Sequence, residues 1–137
     1  MLTENDVIDA VCDYLEAAGY EILQRSHTKQ MGTDIIAKCP ECSGRLLIEA
    51  KGETSADPRT KRYGTPFDSA QVQVHVAEAF RTAVRLHDEH HKSGDFVGVA
   101  LPDTRLHRKY LSQVKSTIDS LGITVYFVQG DRSVKLS

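Results

Sequence analysis

The sequence predicts an α/β domain in which a mixed β-sheet is flanked by helices, and three observations predict it. A helix-period segment opens the chain. Two short apolar runs joined by a turn sequence come next, and each of two later apolar runs is preceded by a longer helical pattern. Antiparallel neighbours accept a tight turn whereas parallel neighbours require a crossover, so a hairpin first and helices afterwards imply strands of both kinds in one sheet. The element order expected is α-β-β-β-α-β-α-β.

The first helix is read from "TENDVIDAVCDYLEAAGY", where Val7, Ile8, Val11, Leu15 and Ala18 recur at helical spacing, Thr3 is the N-cap and Gly19 the stop. Glu4 extends that apolar stripe by one turn, while Asp6, Asp9, Asp13 and Glu16 fall off it and read as a solvated face. "YEILQRS", "TDIIAK" and "RLLIEAK" are strand candidates, the last two joined by "CPECSG", whose Pro and Gly suit a turn. A loop of about fifteen residues follows, a length that compact domains reserve for lids and binding loops. A long helix is read over "PFDSAQVQVHVAEAFRTAVRLHDEHH", then a buried strand "DFVGVAL", a third helix "TRLHRKYLSQVKSTIDSLG" and a strand "ITVYFVQG"; a final "SVKL" pairs at an edge or frays.

At 137 residues the chain is expected to be one domain, 1–137, burying roughly two-thirds of its unfolded surface. No stretch approaches a membrane span and "MLTENDV" lacks the pattern of a secretory signal, so a cytoplasmic protein with no membrane partner is expected. Three cysteines do not make a disulfide framework. A net charge of -2 excludes no partner, because a local basic strip binds phosphates on a protein that is acidic elsewhere.

Two strands built for burial carry charges where core residues are expected. Asp34 heads one, and Glu49 and Lys51 end the other, on the face they share with Leu47. The turn folds the first strand back on the second, so Asp34 meets Glu49 and Lys51. Two carboxylates in a partly apolar setting repel each other, and a hard dication such as Mg²⁺ relieves them. The neighbouring lysine orients or helps deprotonate a water, or stabilises charge growing on phosphorus. Metal-assisted phosphodiester hydrolysis is the chemistry this arrangement suits. An acid-x-Lys triplet arises about once by chance in a chain of this composition, so the weight rests on its position at a strand end facing Asp34. The alternative is a turn aspartate beside an exposed Glu49 and Lys51 pair.

Asp34 followed by "IEAK", in this order of elements, resembles the PD-(D/E)xK nuclease superfamily, which includes restriction endonucleases and Holliday-junction resolvases. The resemblance spans residues 4–101 and implies a restriction endonuclease-like fold. It implies a Mg²⁺- or Mn²⁺-dependent endonuclease acting on DNA in repair, recombination or restriction. Residue by residue, it implies Asp34 and Glu49 as metal ligands, the Ala50 carbonyl as a further ligand and Lys51 beside the attacking water. It also implies Glu4 near the metal and Gln71, early in the long helix, as a catalytic residue. Thr33 stands where the motif has proline.

Arg59, Lys61 and Arg62 fall within four residues of one another, next to Tyr63, in the loop after Lys51. The cations suit phosphate contacts and the tyrosine suits stacking on a base or sugar; a solvated loop is the alternative. Cys39 and Cys42 have the spacing of one zinc knuckle with no second pair after them, so a zinc site would need a dimer interface or distant histidines. The alternative is a hairpin tip with two reduced thiols. A single catalytic site cuts one strand at a time, so duplex cleavage favours a homodimer. Two rival functions stand: a catalytically silent nucleic-acid-binding or scaffold protein of the same fold, and a zinc-binding interaction module centred on Cys39 and Cys42.

Overall fold

The first helix, α1, runs Glu4–Ala17 and begins where the sequence places a cap. The Thr3 hydroxyl accepts from the Asp6 amide at 3.1 Å and the Asp6 carboxylate accepts from the Thr3 amide at 2.9 Å, closing a capping box. Asp6 also accepts from Arg132 at 2.8 Å, and Asp9 pairs with Arg25 at 3.0 Å. Two acids expected on a solvated face therefore tie α1 to other parts of the chain. These coordinates come from a computed structural model, which describes every residue except 28–31, 56 and 62.

One six-stranded sheet forms the centre: β1 Glu21–Arg25, β2 Ile35–Lys38, β3 Arg45–Ala50, β4 Phe96–Pro102, β5 Thr124–Val128 and β6 Val134–Leu136, in spatial order of sequence. β1, β2 and β3 are antiparallel, β3, β4 and β5 are parallel, and β5 and β6 are antiparallel again. The hairpin β2–β3 is the product of the "CPECSG" turn, and each parallel step is made by helices. α2, Ser69–His90, returns the chain from β3 to β4. β4 has both faces covered and reads accordingly as a nearly unbroken apolar run.

Strand alternation sorts the core into two layers. Leu46, Ile48 and Ala50 face α1, where they pack with Val7, Ile8, Val11, Leu15, Ala100 and Tyr126. Leu47, Val97, Val99, Leu101, Val125 and Phe127 face the other helices, against Val72, Val76, Ala79, Ala83, Leu86 and Ile118. Burying each large apolar side chain contributes about 1.5–3 kcal/mol, so both faces of the sheet are held. Among the described residues no helix is long and apolar enough to cross a membrane.

The structure departs from the expected order at two places. The single third helix is two, α3 Arg105–Ser112 and α4 Lys115–Ser120. Between them the Gln113 and Val114 amides bond three residues back, to Tyr110 and Leu111, and Val114 leaves helical geometry at φ −124°. "SVKL" does pair at the edge, as the three-residue strand β6.

At the tip of the β2–β3 hairpin the sulfurs of Cys39 and Cys42 are paired with each other, their Cα atoms 5.4 Å apart. The reduced-thiol reading is thereby replaced by a local cross-link spanning one turn. Paired sulfurs are not zinc ligands, and among the described residues no group of three His, Cys, Asp or Glu side chains is placed to hold a metal. Asp34 lies at the far end of the hairpin, roughly 16 Å along the strand. The purified wild type is expected to hold no stoichiometric zinc. One zinc per chain by elemental analysis would restore the zinc reading of Cys39 and Cys42.

Candidate active site

The hairpin register sets the site. Ile35 lies opposite Ile48, which carries Asp34, one residue before β2, to the position opposite Glu49. The Asp34 backbone carbonyl accepts from the Ser26 amide at 2.8 Å, and its side-chain Oδ2 accepts from the Ala50 amide at 2.9 Å. The residue is thus fixed at both ends, backbone to β1's end and side chain to β3. On the other side, the Lys51 amide donates to the Ala100 carbonyl at 3.0 Å, so β4 locks the end of β3 that carries the motif.

The electrostatics follow from this crowding. Burial, then the hydrogen bond and like charge of Glu49, push the Asp34 carboxyl well above the usual carboxylate range, against the opposing pull of the Ala50 N–H. Glu4, in the first turn of α1, is also raised: burial is the larger cause, Glu49 adds to it and Lys51 opposes it. Three acids from α1, β2's start and β3 therefore sense one another around one ammonium.

Lys51 is 18 % exposed at its side chain, and its Nζ donates to Glu78 Oε2 at 3.1 Å. Burial alone would lower its proton affinity, but the hydrogen bond and charge of Glu78, with Glu49 and Glu4, outweigh it and raise the value. Lys51 is consequently an ammonium at neutral pH. Of the three roles foreseen for it, orienting a water and stabilising charge fit this state, and taking up a proton does not.

Gln71 is placed two turns before Glu78 on α2, in a capping box of its own. Its Oε1 accepts from the Asp68 amide and its amide donates to Asp68 Oδ1, both at 2.9 Å. Among the described residues its Nε2 is buried without a hydrogen-bond partner, and it makes no bond to Asp34, Glu49 or Lys51. The helix cap is the role its geometry accounts for.

The loop between β3 and α2 is anchored at its base and exposed at its tip. The Glu53 amide and carboxylate pair with the Leu2 carbonyl and amide, each at 2.8 Å, and the Phe67 amide donates to the Glu53 carbonyl at 2.8 Å. Further out, the Arg59 guanidinium grips Asp57 at 3.0 Å through Nε and Nη2, Lys61 is exposed, and Tyr63 is 53 % exposed beside a bridge to Ser55. Arg62 lies outside the described residues. Arg59 is thus engaged within the loop, while Lys61 and Tyr63 are open to solvent.

Three residues that the sequence did not single out face the site from α2. Glu78 holds Lys51, and Thr82 and Arg85 line a recess of about 90 Å³ with Gly32, Thr33, Asp34, Glu49 and Leu86. Their spacing of four and then three residues is the available signal: it puts them on one flank of the buried stripe of α2. His75 lies further along, its ring edge-on to Phe67 at 4.6 Å. His107 is fully buried, bonded through Nδ1 to Thr104 Oγ1 at 2.6 Å, and burial lowers its pKa to about 4, so it is a neutral core residue.

Compared with protein-family models, curated proteins and solved structures, the chain gives no significant match.

Proposed function

We propose that this chain is a metal-dependent endonuclease of the PD-(D/E)xK type, with the restriction endonuclease-like form of the mixed sheet, hydrolysing phosphodiester bonds of DNA. The observation that carries the proposal is the meeting of Asp34 and Glu49 across the hairpin with Lys51 held beside them by Glu78. Burial and the neighbouring Glu49 raise the proton affinity of Asp34, a crowding that a bound dication would relieve. All-oxygen donors suit Mg²⁺ or Mn²⁺. Asp34, Glu49 and the Ala50 carbonyl would hold the ion, with Glu4 close enough to influence it. Two carboxylates leave positions for water and phosphate oxygens. When bound, the ion would supply Lewis-acid polarisation of a phosphate oxygen.

The chain's own residues do the rest. Lys51, kept charged by Glu78, orients the attacking water and offsets negative charge growing on the phosphate. Glu78 keeps the ammonium on the α2 side, leaving the face of Asp34 and Glu49 open. Lys61 and Tyr63 extend the contact to the strand beyond the cut.

Incubation with circular single- and double-stranded DNA in Mg²⁺ or Mn²⁺ tests the proposal. The wild type is expected to nick or linearise circles, chelator to stop it, and Lys51→Ala to slow it by about 10²–10⁴-fold, the range for a positioned group acting in the transition state. Cleavage that survives Lys51→Ala, or that ignores chelator, overturns the mechanism.

A further inference from the structure

The recess beside the acid pair has two unlike walls. Asp34 and Glu49 form the sheet side; Thr82 and Arg85 form the α2 side. The recess, about 90 Å³, lies directly beside both acids and carries a cation and a hydroxyl on its opposite wall. Arg85 is incompletely engaged: Nη1 lies 3.2 Å from both carboxylate oxygens of Glu89, and among the described residues Nε and Nη2 make no hydrogen bond. That pair is four residues apart on a helix and half exposed on both sides, the kind that exchanges readily for a better anion. A guanidinium presents its N–H groups as a planar fork that matches two phosphate oxygens, and a threonine hydroxyl supplies a third donor.

We infer that Arg85 and Thr82 are the seat for one phosphate of the substrate strand, across the recess from Asp34 and Glu49, and that Glu89 occupies the guanidinium until the phosphate arrives. The inference rests on the nuclease reading and adds a residue for substrate binding that the acid pair cannot provide, because carboxylates repel a phosphate. Neither Lys51, tied to Glu78, nor the loop cations occupy that wall. An internal phosphodiester and a terminal phosphomonoester both offer the oxygens this seat takes.

Steady-state cleavage by wild type, Arg85→Ala, Arg85→Lys and Glu89→Gln tests the seat, on circular single strands and on linear strands with and without a 5′-phosphate. Arg85→Ala is expected to raise KM about tenfold with a smaller change in kcat. It should also flatten the slope of log(kcat/KM) against log salt by about one. Arg85→Lys recovers part of the KM because charge remains without the fork, and Glu89→Gln leaves KM at or below the wild-type value. Equal losses on circular and linear strands assign the seat to an internal phosphodiester; a loss confined to 5′-phosphorylated strands assigns it to a terminal phosphate. Wild-type KM and salt slope in Arg85→Ala overturn the seat, as does a rise in KM for Glu89→Gln matching that of Arg85→Ala, which would make the pair a helix brace. If the wild type cuts no strand, the nuclease reading falls. Anisotropy titration of the same strands then decides the seat: weaker binding by Arg85→Ala, partly recovered in Arg85→Lys and absent in Glu89→Gln, supports it, and equal binding by all variants overturns it.

Discussion

Asp34→Asn is expected to slow strand cleavage sharply and, in the same protein, to raise the melting temperature of the metal-free form at neutral and alkaline pH. The two effects have one cause. Asparagine still accepts from the Ala50 amide, so the hairpin keeps its anchor, but the side chain no longer binds a dication or repels Glu49. Burial and Glu49 hold the folded-state proton affinity of Asp34 above its ordinary value of 3.8. A carboxyl raised in this way contributes stability that is fully present below its unfolded pKa and is lost as pH rises through the folded one. Through this group the wild type therefore loses stability from about pH 4 upward, a loss the variant lacks, and the gap between them widens until pH passes the folded-state value. Mg²⁺ should close that gap by stabilising the wild type and should leave the variant unmoved. Cleavage should fall by about two to three orders of magnitude, as when a charge-stabilising group is removed from a transition state. Melting curves at several pH values, with and without Mg²⁺, read both halves. Identical melting of the two proteins at alkaline pH would mean that the acids do not crowd each other.

Gly52→Ala is expected to be among the most damaging single substitutions, although it adds one methyl group. Directly after Lys51, the Gly52 backbone runs against the start of α1, and a Cβ there would stand 2.6 Å from the Thr3 carbonyl carbon and closer still to the Glu4 amide nitrogen. Both are backbone atoms in a capped helix terminus, so no side chain can swing aside. Overpacking of this sort costs about 1–3 kcal/mol, which for a domain of this size lowers melting by roughly 3–12 °C. Relief comes only by pushing α1 away, which carries Glu4 from the acid pair, so cleavage should fall in the protein that remains folded. Gly130→Ala is the control, since a Cβ there meets nothing within 4 Å. If the two variants melt alike, α1 does not press on the site as described.

How much of this was legible in the sequence differs from element to element, for physical reasons. The hairpin and the meeting of Asp34 with Glu49 follow from strand alternation and a short turn, both local properties, and the observed register agrees with them. The break between α3 and α4 was not legible, because Leu111, Val114, Ile118 and Leu121 keep the helical period straight through it. Asp6 was read as solvated although Thr3 and Asp6 stand at capping-box spacing, a signal that was available. Glu78, Thr82 and Arg85 were missed for a different reason. On an amphipathic helix every polar residue off the stripe looks alike until the strand ends opposite are known. Gln71 illustrates the converse: it was chosen for its place early in the long helix, and its side chain is engaged by Asp68 in a helix cap.

The hydrogen bond from the Lys51 amide to the Ala100 carbonyl has a consequence for the order in which a growing chain acquires its chemistry. Every side chain assigned to the site lies between Glu4 and Arg85, so a nascent chain contains the full set before β4 exists. The acid pair depends on a contact 16 residues apart and the lysine clamp on one 27 apart, both available early. Lys51 is pinned in register only when β4 slots in beside β3. Synthesis thus delivers the side chains of the proposed site before the strand that aligns Lys51.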